Sequence, residues 1–272
     1  MLANNNEAII NKLAKNSVKT NKKQYAILFF TIILSAFMLF CVFTIGMTYL
    51  DSSRLQNTRL NGAEYDILTM NGFTSEQLNT LRQNENIRSV GIESYAGFIQ
   101  STEYDKTVEI GLLWCDEVFW DNLMSPARTK LDGHYPQNKN ELMVTKDILK
   151  TCGNENLSVG DSLILTYENN TGVYTDEFII SGIWDGYGDT SAGFVSKAFY
   201  DETGYDLKND GILCIKLNRN YVFPATIQSI EKSLDFSDRQ IFAPTGYIEN
   251  SFKLLLGICG LALRSEEHTS EL

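Results

Sequence analysis

The pattern of hydrophobic and polar positions divides the chain into three parts. Residues 24–50 carry no charged side chain, residues 1–23 hold five lysines, and residues 51–250 mix polar and apolar positions. The 27 uncharged residues would form about 40 Å of helix, against about 30 Å of hydrocarbon core in a bilayer. The pattern predicts a transmembrane helix over 24–50. A cleaved signal peptide fits less well, because its apolar region spans only about 7–15 residues.

The lysines before this segment predict its orientation. Positive charge beside a span stays in the cytoplasm, so residues 1–23 are expected inside and residues 51–250 outside. The lysine segment also has apolar positions spaced for one helix face, which predicts an amphipathic helix on an anionic inner leaflet. The alternative is a solvated basic tail. The residues on the expected face are Ile9, Ile10, Leu13, Ser17 and Val18.

Two similar groups of elements are predicted near the two ends of the outer segment. In the first, a strand over 63–70 precedes a helix that Thr74 caps, and a β-rich stretch over 87–101 follows. In the second, a strand over 212–217, a helix over 225–234 and a short strand over 239–243 repeat that order. Two βαβ halves predict an α+β domain with a ferredoxin-like sandwich.

The long insertion between these halves, at about residues 103–205, has a different pattern. It is predicted to form a mainly-β subdomain, with a turn at 169–172 joining two of its strands. The segment 205–211 is predicted to be a loop. The expected strands are 107–114, 161–168 and 174–184, and the expected short helices are 116–123 and 146–150.

Composition excludes several functions. Residues 51–250 hold 30 acidic and 16 basic side chains, which would repel the phosphates of a nucleic acid. There is no phosphate-binding loop, no GxSxG or SxxK sequence, and only two histidines, His134 and His268. We therefore expect no catalytic, cofactor-binding or metal-binding residue, and no cofactor. Of the five cysteines, Cys115, Cys152 and Cys214 lie in the outer segment and are expected to be buried apolar side chains with at most one disulfide.

One stretch is more specific than the rest, LDGHYPQNKNELMVTKDILKTCGNENLSVGDSLIL, followed further on by FIISGIW. It combines a Gly and Pro turn, an Asn-Glu pair before a strand and a helix, and a Val-Gly-Asp turn into the next strand. Pro136 fixes a turn, Gly160 suits a turn with positive φ, and the Asp161 side chain can bond the adjacent backbone. The stretch resembles the extracytoplasmic domain of FtsX-like, MacB-type permeases of ABC transporters. The matching scaffold positions are Gly133, Pro136, Asn140, Glu141, Gly160, Asp161 and Gly182.

The resemblance covers residues 7–263 and implies both fold and function. It implies two βαβ halves around an inserted β subdomain, in a multi-pass plasma-membrane permease without catalytic activity of its own. The implied partners are a cytoplasmic ABC ATPase subunit, a second permease copy or half, the lipid bilayer, and a peptide or lipid substrate. The implied work is export or extraction, or resistance to antimicrobial peptides.

Two other functions remain open from the sequence. A membrane sensor with an outer ligand-binding domain between two spans would have the same layout. A membrane-anchored outer enzyme is a third class, but no catalytic constellation supports it.

The end of the chain bears on this choice. Residues 251–263 contain ten apolar positions after Lys253, about 15 Å of helix, and are expected to begin a second span. The alternative is an ordinary end helix that packs on the outer domain. Residues 264–272, RSEEHTSEL, can be encoded by a nucleotide string that resembles a widely used sequencing-library adapter. We therefore expect these nine residues to be a translated adapter, and we exclude them from fold reasoning.

Overall fold

The computed structural model describes residues 6–103, 106–187, 192–218 and 224–245, together with Lys253 and Gly257. Apart from those two residues, the expected second span and adapter lie outside the described part of the chain. Two compact units are formed, one by Met1–Asp51 with Leu254–Leu272 and the other by Ser52–Lys253. The boundaries proposed from the sequence for the membrane segments stay predictions.

The first unit contains most of the apolar helix. Helix α1 covers Asn6–Thr20 and α2 covers Lys22–Asn61, a length of 40 residues or about 60 Å. The predicted span over 24–50 falls inside α2, whose apolar side chains in that region are largely exposed. In the described part of the chain, α2 is the one helix long and apolar enough to cross a membrane. The last ten residues of α2, from Ser52 onward, belong to the second unit.

The second unit contains all ten strands and the remaining helices of the described chain. The strands are β1 Ile67–Met70, β2 Ile87–Glu103, β3 Lys106–Cys115, β4 Arg128–Gly133, β5 Glu141–Thr145, β6 Ser162–Asn169, β7 Gly172–Gly186, β8 Gly193–Val195, β9 Ile212–Leu217 and β10 Ile241–Pro244. The helices are α3 Ser75–Gln83, a π-helix Val118–Leu123, a 3₁₀ turn Ser125–Ala127, α4 Lys146–Thr151, α5 Lys197–Tyr200, α6 Leu207–Asp210 and α7 Pro224–Lys232.

The two predicted βαβ halves form one antiparallel sheet. Its strand order is β10-β1-β9-β2, and each strand is antiparallel to its neighbours. The connections β1-α3-β2 and β9-α7-β10 each skip one strand, which is the split βαβ arrangement of a ferredoxin-like fold. The predicted fold class is therefore confirmed for this half. Helix α3 begins where the sequence indicated, because Thr74 and Gln77 form a reciprocal capping box.

The insertion continues the same sheet through β3, β8, β5, β7 and β4, in that order. Strand β6 lies off this path and pairs with β2 and β7. It forms the predicted hairpin with β7 through the turn at residues 169–172. The insertion is mainly β, as expected, but it extends the ferredoxin-like sheet instead of forming a sheet of its own.

Three local predictions were wrong in detail. The segment expected as a short helix over 116–123 is a π-helix, in which the Met124 N–H donates to the Phe119 carbonyl at 2.8 Å. The segment expected as a loop over 205–211 contains α6, whose start is capped by Asp206. The first strand begins at Ile67 and not at residue 63; before it, the Glu64 N–H donates to the Leu123 carbonyl and the Asp66 N–H to the Ile215 carbonyl.

Apolar residues form two clusters. One contains Leu81 of α3, Ile227 and Ile230 of α7, and strand residues such as Ile215. The other contains the π-helix residues Phe119 and Trp120 and the other strand face, including Phe194 and the buried thiols of Cys115 and Cys214. These two cysteines are buried apolar side chains, as expected. Because both faces of the sheet are covered, the domain has a core on each side.

Candidate functional site

The matched scaffold positions meet at the middle of one long strand. Strand β7 pairs with β6 in its first half and with β4 and β5 in its second half. The change of partners occurs at residues 179–182. The backbone of these four residues bonds to segments that contain Gly133, Asn140, Gly160 and Asp161. Residues up to 49 positions apart in sequence, from 133 to 182, thus lie close together where β7 changes its partner strands.

Gly133 and Gly182 are paired directly across β4 and β7. Gly133 has a φ of +88°, and a Cβ there would overlap the Ser181 carbonyl oxygen. A Cβ on Gly182 would lie 2.9 Å from the His134 carbonyl oxygen and 3.0 Å from the Met143 side chain. The two backbones approach too closely for side chains, which explains why the pattern has glycine at both positions.

The Val-Gly-Asp turn attaches to the same part of β7. The Gly160 N–H donates to the Ile180 carbonyl at 2.8 Å, and the Ile180 N–H donates to the Asp161 carbonyl at 2.9 Å. Gly160 has a φ of +94°, as the sequence indicated. The Asp161 carboxylate accepts from the Ser158 N–H at 2.8 Å, which closes the turn. This turn holds the start of β6 against β7.

The Pro and Asn-Glu residues build the turn before β5. Pro136 is buried, and the Asn140 carbonyl accepts from the Ile179 N–H at 2.8 Å. The Glu141 carboxylate accepts from the N–H groups of Gln137 and Asn138 at 2.7 and 3.1 Å. Partial burial acts to raise the pKa of Glu141, but these hydrogen bonds outweigh it and the pKa is lowered. Glu141 therefore stays ionised and closes this turn as an anion.

The geometry gives these seven residues scaffold contacts and no reactive arrangement. Each glycine allows a close approach or a positive φ, and each carboxylate is bonded to nearby backbone. His134 is exposed, and its Nδ1 lies 3.0 Å from the Tyr135 carbonyl. Across the described ranges, no group of three or more His, Cys, Asp or Glu side chains could hold a metal ion.

Two concave surfaces are considered among the described residues of the second unit. The larger, about 420 Å³, lies beside α3 and has Lys208 and Arg239 in its wall. Its partly or fully buried amides, Gln77 and Gln240, bond to each other at 3.0 Å. They also bond to the carbonyls of Leu234 and Gly72, each at 2.8 Å. These amides are therefore already paired within the protein.

The smaller surface, about 200 Å³, is lined by aromatic and charged residues. The Tyr167 hydroxyl donates to Asp176 at 2.6 Å, and the Lys139 ammonium lies 2.5 Å from a Glu202 oxygen. Lys139 and Asp176 of this surface thus also have partners in the chain.

One ionic cluster was missed by the sequence analysis. Lys216 on β9 is almost fully buried, and its Nζ lies 3.2 Å from Glu64 and 3.2 Å from Asp66. Glu64 and Asp66 belong to the connector, residues 62–66, which joins α2 to β1. A signal was present, since Lys216 interrupts the otherwise apolar strand ILCIKL. Its partners, however, lie 150 positions away in sequence.

A second missed feature is an acidic residue of β2. Glu93 is partly buried and is paired with Cys115 on the neighbouring strand β3. Burial raises the pKa of Glu93 to about 7. Burial also raises the pKa of the Cys115 and Cys214 thiols and of the Tyr65 hydroxyl. These neighbours are therefore neutral near pH 7, and Glu93 is the group of this cluster that changes charge there.

Comparisons with known proteins give two related findings. No family model and no curated protein matches the chain. Among solved structures, the fold is similar to the periplasmic region of MacB from Actinobacillus actinomycetemcomitans. The two sequences are 13% identical, the match covers 71% of this chain and 95% of that chain, and the TM-score is 0.45. It is also similar to the extracellular domain of the noncanonic ABC-type transporter YknZ from Gram-positive bacteria, with 12% identity, 66% and 98% covered, and a TM-score of 0.42.

Proposed function

We propose that the chain forms the first span and the extracytoplasmic domain of a permease subunit of an ABC transporter of the FtsX-like, MacB type. The observation that carries the proposal is the convergence of five motif positions on residues 179–182 of β7, which include a sixth, Gly182; the five are Gly133, Asn140, Glu141, Gly160 and Asp161. This scaffold belongs to a domain that follows a helix long and apolar enough to span a membrane. The resemblance found in the sequence thus corresponds to one connected piece of structure.

In this proposal, the chain couples ATP hydrolysis by a cytoplasmic ATPase to movement of an extracytoplasmic domain. A separate ABC ATPase binds at the cytoplasmic side, and its ATP-driven dimerisation displaces the spans of two permease copies or halves. The outer domain follows that displacement, which is a domain movement driven by differential binding. The work is export or extraction of a lipid or peptide from the bilayer, or resistance to antimicrobial peptides. The N-terminus lies in the cytoplasm and residues 51–250 lie outside.

A permease role without catalysis is supported by the contacts of the polar groups. The motif carboxylates are bonded to backbone, the amides of the larger concave surface are bonded to each other, and Lys139 of the smaller one is paired with Glu202. Such groups stabilise a scaffold, and none of them is placed beside a nucleophile or a second acid for proton transfer.

The test is co-purification with an ATPase. The complete gene that contains this sequence is expressed with a cytoplasmic ATPase encoded beside it, and the membrane complex is isolated through a tag on the permease. We expect the ATPase to co-purify, and its ATP hydrolysis to change when the permease is present. A control variant carries Gly133→Ala, which disrupts the outer scaffold but leaves the cytoplasmic segment intact.

The same experiment separates the competing functions. Further apolar spans encoded after residue 263 and a bound ATPase support the permease. A cytoplasmic signalling domain encoded there, with no ATPase bound, would overturn the proposal in favour of a membrane sensor.

A further inference from the structure

The connector, residues 62–66, carries a dense set of contacts for a link of five residues. Helix α2 ends at Asn61 and is followed by Gly62, whose φ of +72° is the left-handed conformation that commonly terminates a helix. Ala63 is fully buried in the second apolar cluster, and the Glu64 N–H donates to the Leu123 carbonyl at 2.7 Å. The connector is therefore packed into the domain instead of forming a flexible linker.

Its two acids hold a buried lysine of β9. Lys216 is 4% exposed, and its Nζ lies 3.2 Å from Glu64 Oε1 and from Asp66 Oδ2. Asp66 is also almost fully buried, whereas Glu64 is partly exposed. A buried ammonium without its carboxylates would be strongly unfavourable, so these three side chains depend on one another.

Asp66 also connects the connector to two further places in the sheet. Its carboxylate accepts from the Leu217 N–H, and its own N–H donates to the Ile215 carbonyl, each at 2.8 Å. Its carbonyl accepts from the Thr245 N–H at 2.9 Å, directly after β10. The chain thus enters the sheet at Asp66 and leaves it at Thr245, and these two points are hydrogen-bonded to each other.

We propose that Glu64, Asp66 and Lys216 form an ionic lock that fastens the polar end of α2 to β9, β1 and β10, so that a displacement of the helix end moves these strands with it. The purpose of the lock rests on the proposed function, in which movement must reach the outer domain. A flexible link of five residues would absorb such movement, because it could extend instead of pulling on the sheet. The lock itself is a property of this chain and needs no ATPase to be measured.

The first test measures how firmly the helix end is held. The full chain is placed in lipid nanodiscs, and p-acetylphenylalanine is introduced at two exposed positions, Gln56 on α2 and Glu231 on α7. Spin labels on these ketones leave the native cysteines untouched, and pulsed electron resonance gives the distribution of distances between them.

The informative variant removes every charge of the lock at once. Glu64→Gln with Asp66→Asn and Lys216→Met leaves no unpaired buried charge, so the domain is expected to stay folded. We expect a distance distribution roughly twofold broader than in the wild type, with an unchanged unfolding midpoint. The control, Lys139→Met, removes the exposed pair with Glu202 and should leave the width unchanged. An unchanged width in the folded triple variant overturns the proposal.

The second test does not depend on the triple variant folding. Glu64→Gln changes the most exposed member of the lock, and hydrogen exchange is followed at the amides of Asp66, Leu217 and Thr245. We expect exchange at all three to accelerate together by about tenfold, because one lock protects them. Lys139→Met should accelerate none of them. Acceleration confined to the Glu64 neighbourhood, or unequal changes at the three amides, would also overturn the proposal. Neither test uses ATPase binding, so failure of the lock and failure of the proposed function give different results.

Discussion

Replacing Glu93 with glutamine should stabilise the second unit, Ser52–Lys253, in a pH-dependent way. Burial raises the pKa of Glu93 from an ordinary value of 4.5 to about 7. Between these two values the folded chain binds a proton that the unfolded chain has released, so stability falls as pH rises and then levels off above pH 7. A shift of this size corresponds to at most about 3 kcal/mol, and partial exposure of the side chain reduces the expected figure to about 2 kcal/mol.

Glutamine has nearly the shape of the protonated acid but no charge to bury. We expect Glu93→Gln to match the wild type at pH 4.5 and to be more stable by about 2 kcal/mol at pH 8. The neighbouring thiols of Cys115 and Cys214 have raised pKa values and stay neutral across this window. The difference between the two proteins therefore reports the charge on Glu93.

The assay is urea unfolding of the full chain in nanodiscs, followed by tryptophan fluorescence. All three tryptophans, Trp114, Trp120 and Trp184, are buried in the second unit, so the signal reports this unit. The control is Glu231→Gln, an exposed change on α7 that should have the same small effect at both pH values. If Glu93→Gln gave an equal change at pH 4.5 and pH 8, or lost stability at pH 8, the reasoning would be wrong.

Three other predictions concern the scaffold and the orientation of the chain. Gly133→Ala should lower the free energy of unfolding by about 3 kcal/mol or more, because its Cβ would overlap the Ser181 carbonyl. Gly160→Ala has free space around its Cβ and should lower the free energy of unfolding by only about 1 kcal/mol, because of its positive φ. Urea unfolding of both variants checks this, and equal losses would contradict it. Glu141→Gln should destabilise the chain at pH 7, and the difference from the wild type should shrink as the pH falls through the lowered pKa of Glu141; unfolding at a series of pH values checks this, and a constant difference would contradict it. Cysteine introduced at residue 60 should react with a membrane-impermeant maleimide from outside whole cells, and cysteine at residue 16 should not; the reverse pattern would overturn the proposed topology.

Local patterns predicted the ferredoxin-like half well. Thr74 caps α3 as the sequence indicated, and the apolar strand over 212–217 appears as β9. These elements could be predicted because their signals lie within a few residues: a cap at a fixed offset, and an apolar period that matches one face.

The remaining features depend on distant partners. The junction at residues 179–182 of β7 requires two different sets of neighbours, and no local pattern specifies which strands these are. The sequence predicted an ordinary helix where the π-helix occurs. The i→i+5 hydrogen bond that distinguishes a π-helix from an α-helix has no characteristic amino-acid composition. Lys216 was a visible irregularity in its strand, but its role required knowing that Glu64 and Asp66 lie beside it.

The scaffold motif could be explained only in part from the sequence. The turn at Gly160 could be explained from its own residues, because a positive φ and an aspartate bond are local properties. The need for glycine at Gly133 and Gly182 could not, since it arises where two strands 49 positions apart come into contact. The resemblance to the family pattern identified the two glycines, and the structure supplied the reason for the pair.

The strand order also has a consequence for the synthesis of the protein. Strand β1 pairs with β9 through Ile67 and Ile215, a separation of 215 − 67 = 148 residues. At about 5–20 residues per second, β1 waits about 7–30 s for this neighbour to be translated, and closing so long a loop costs about 4 kcal/mol of chain entropy. The insertion, whose strands pair mainly over shorter distances, can form during this interval. The split half that was easiest to predict is therefore the part that closes last.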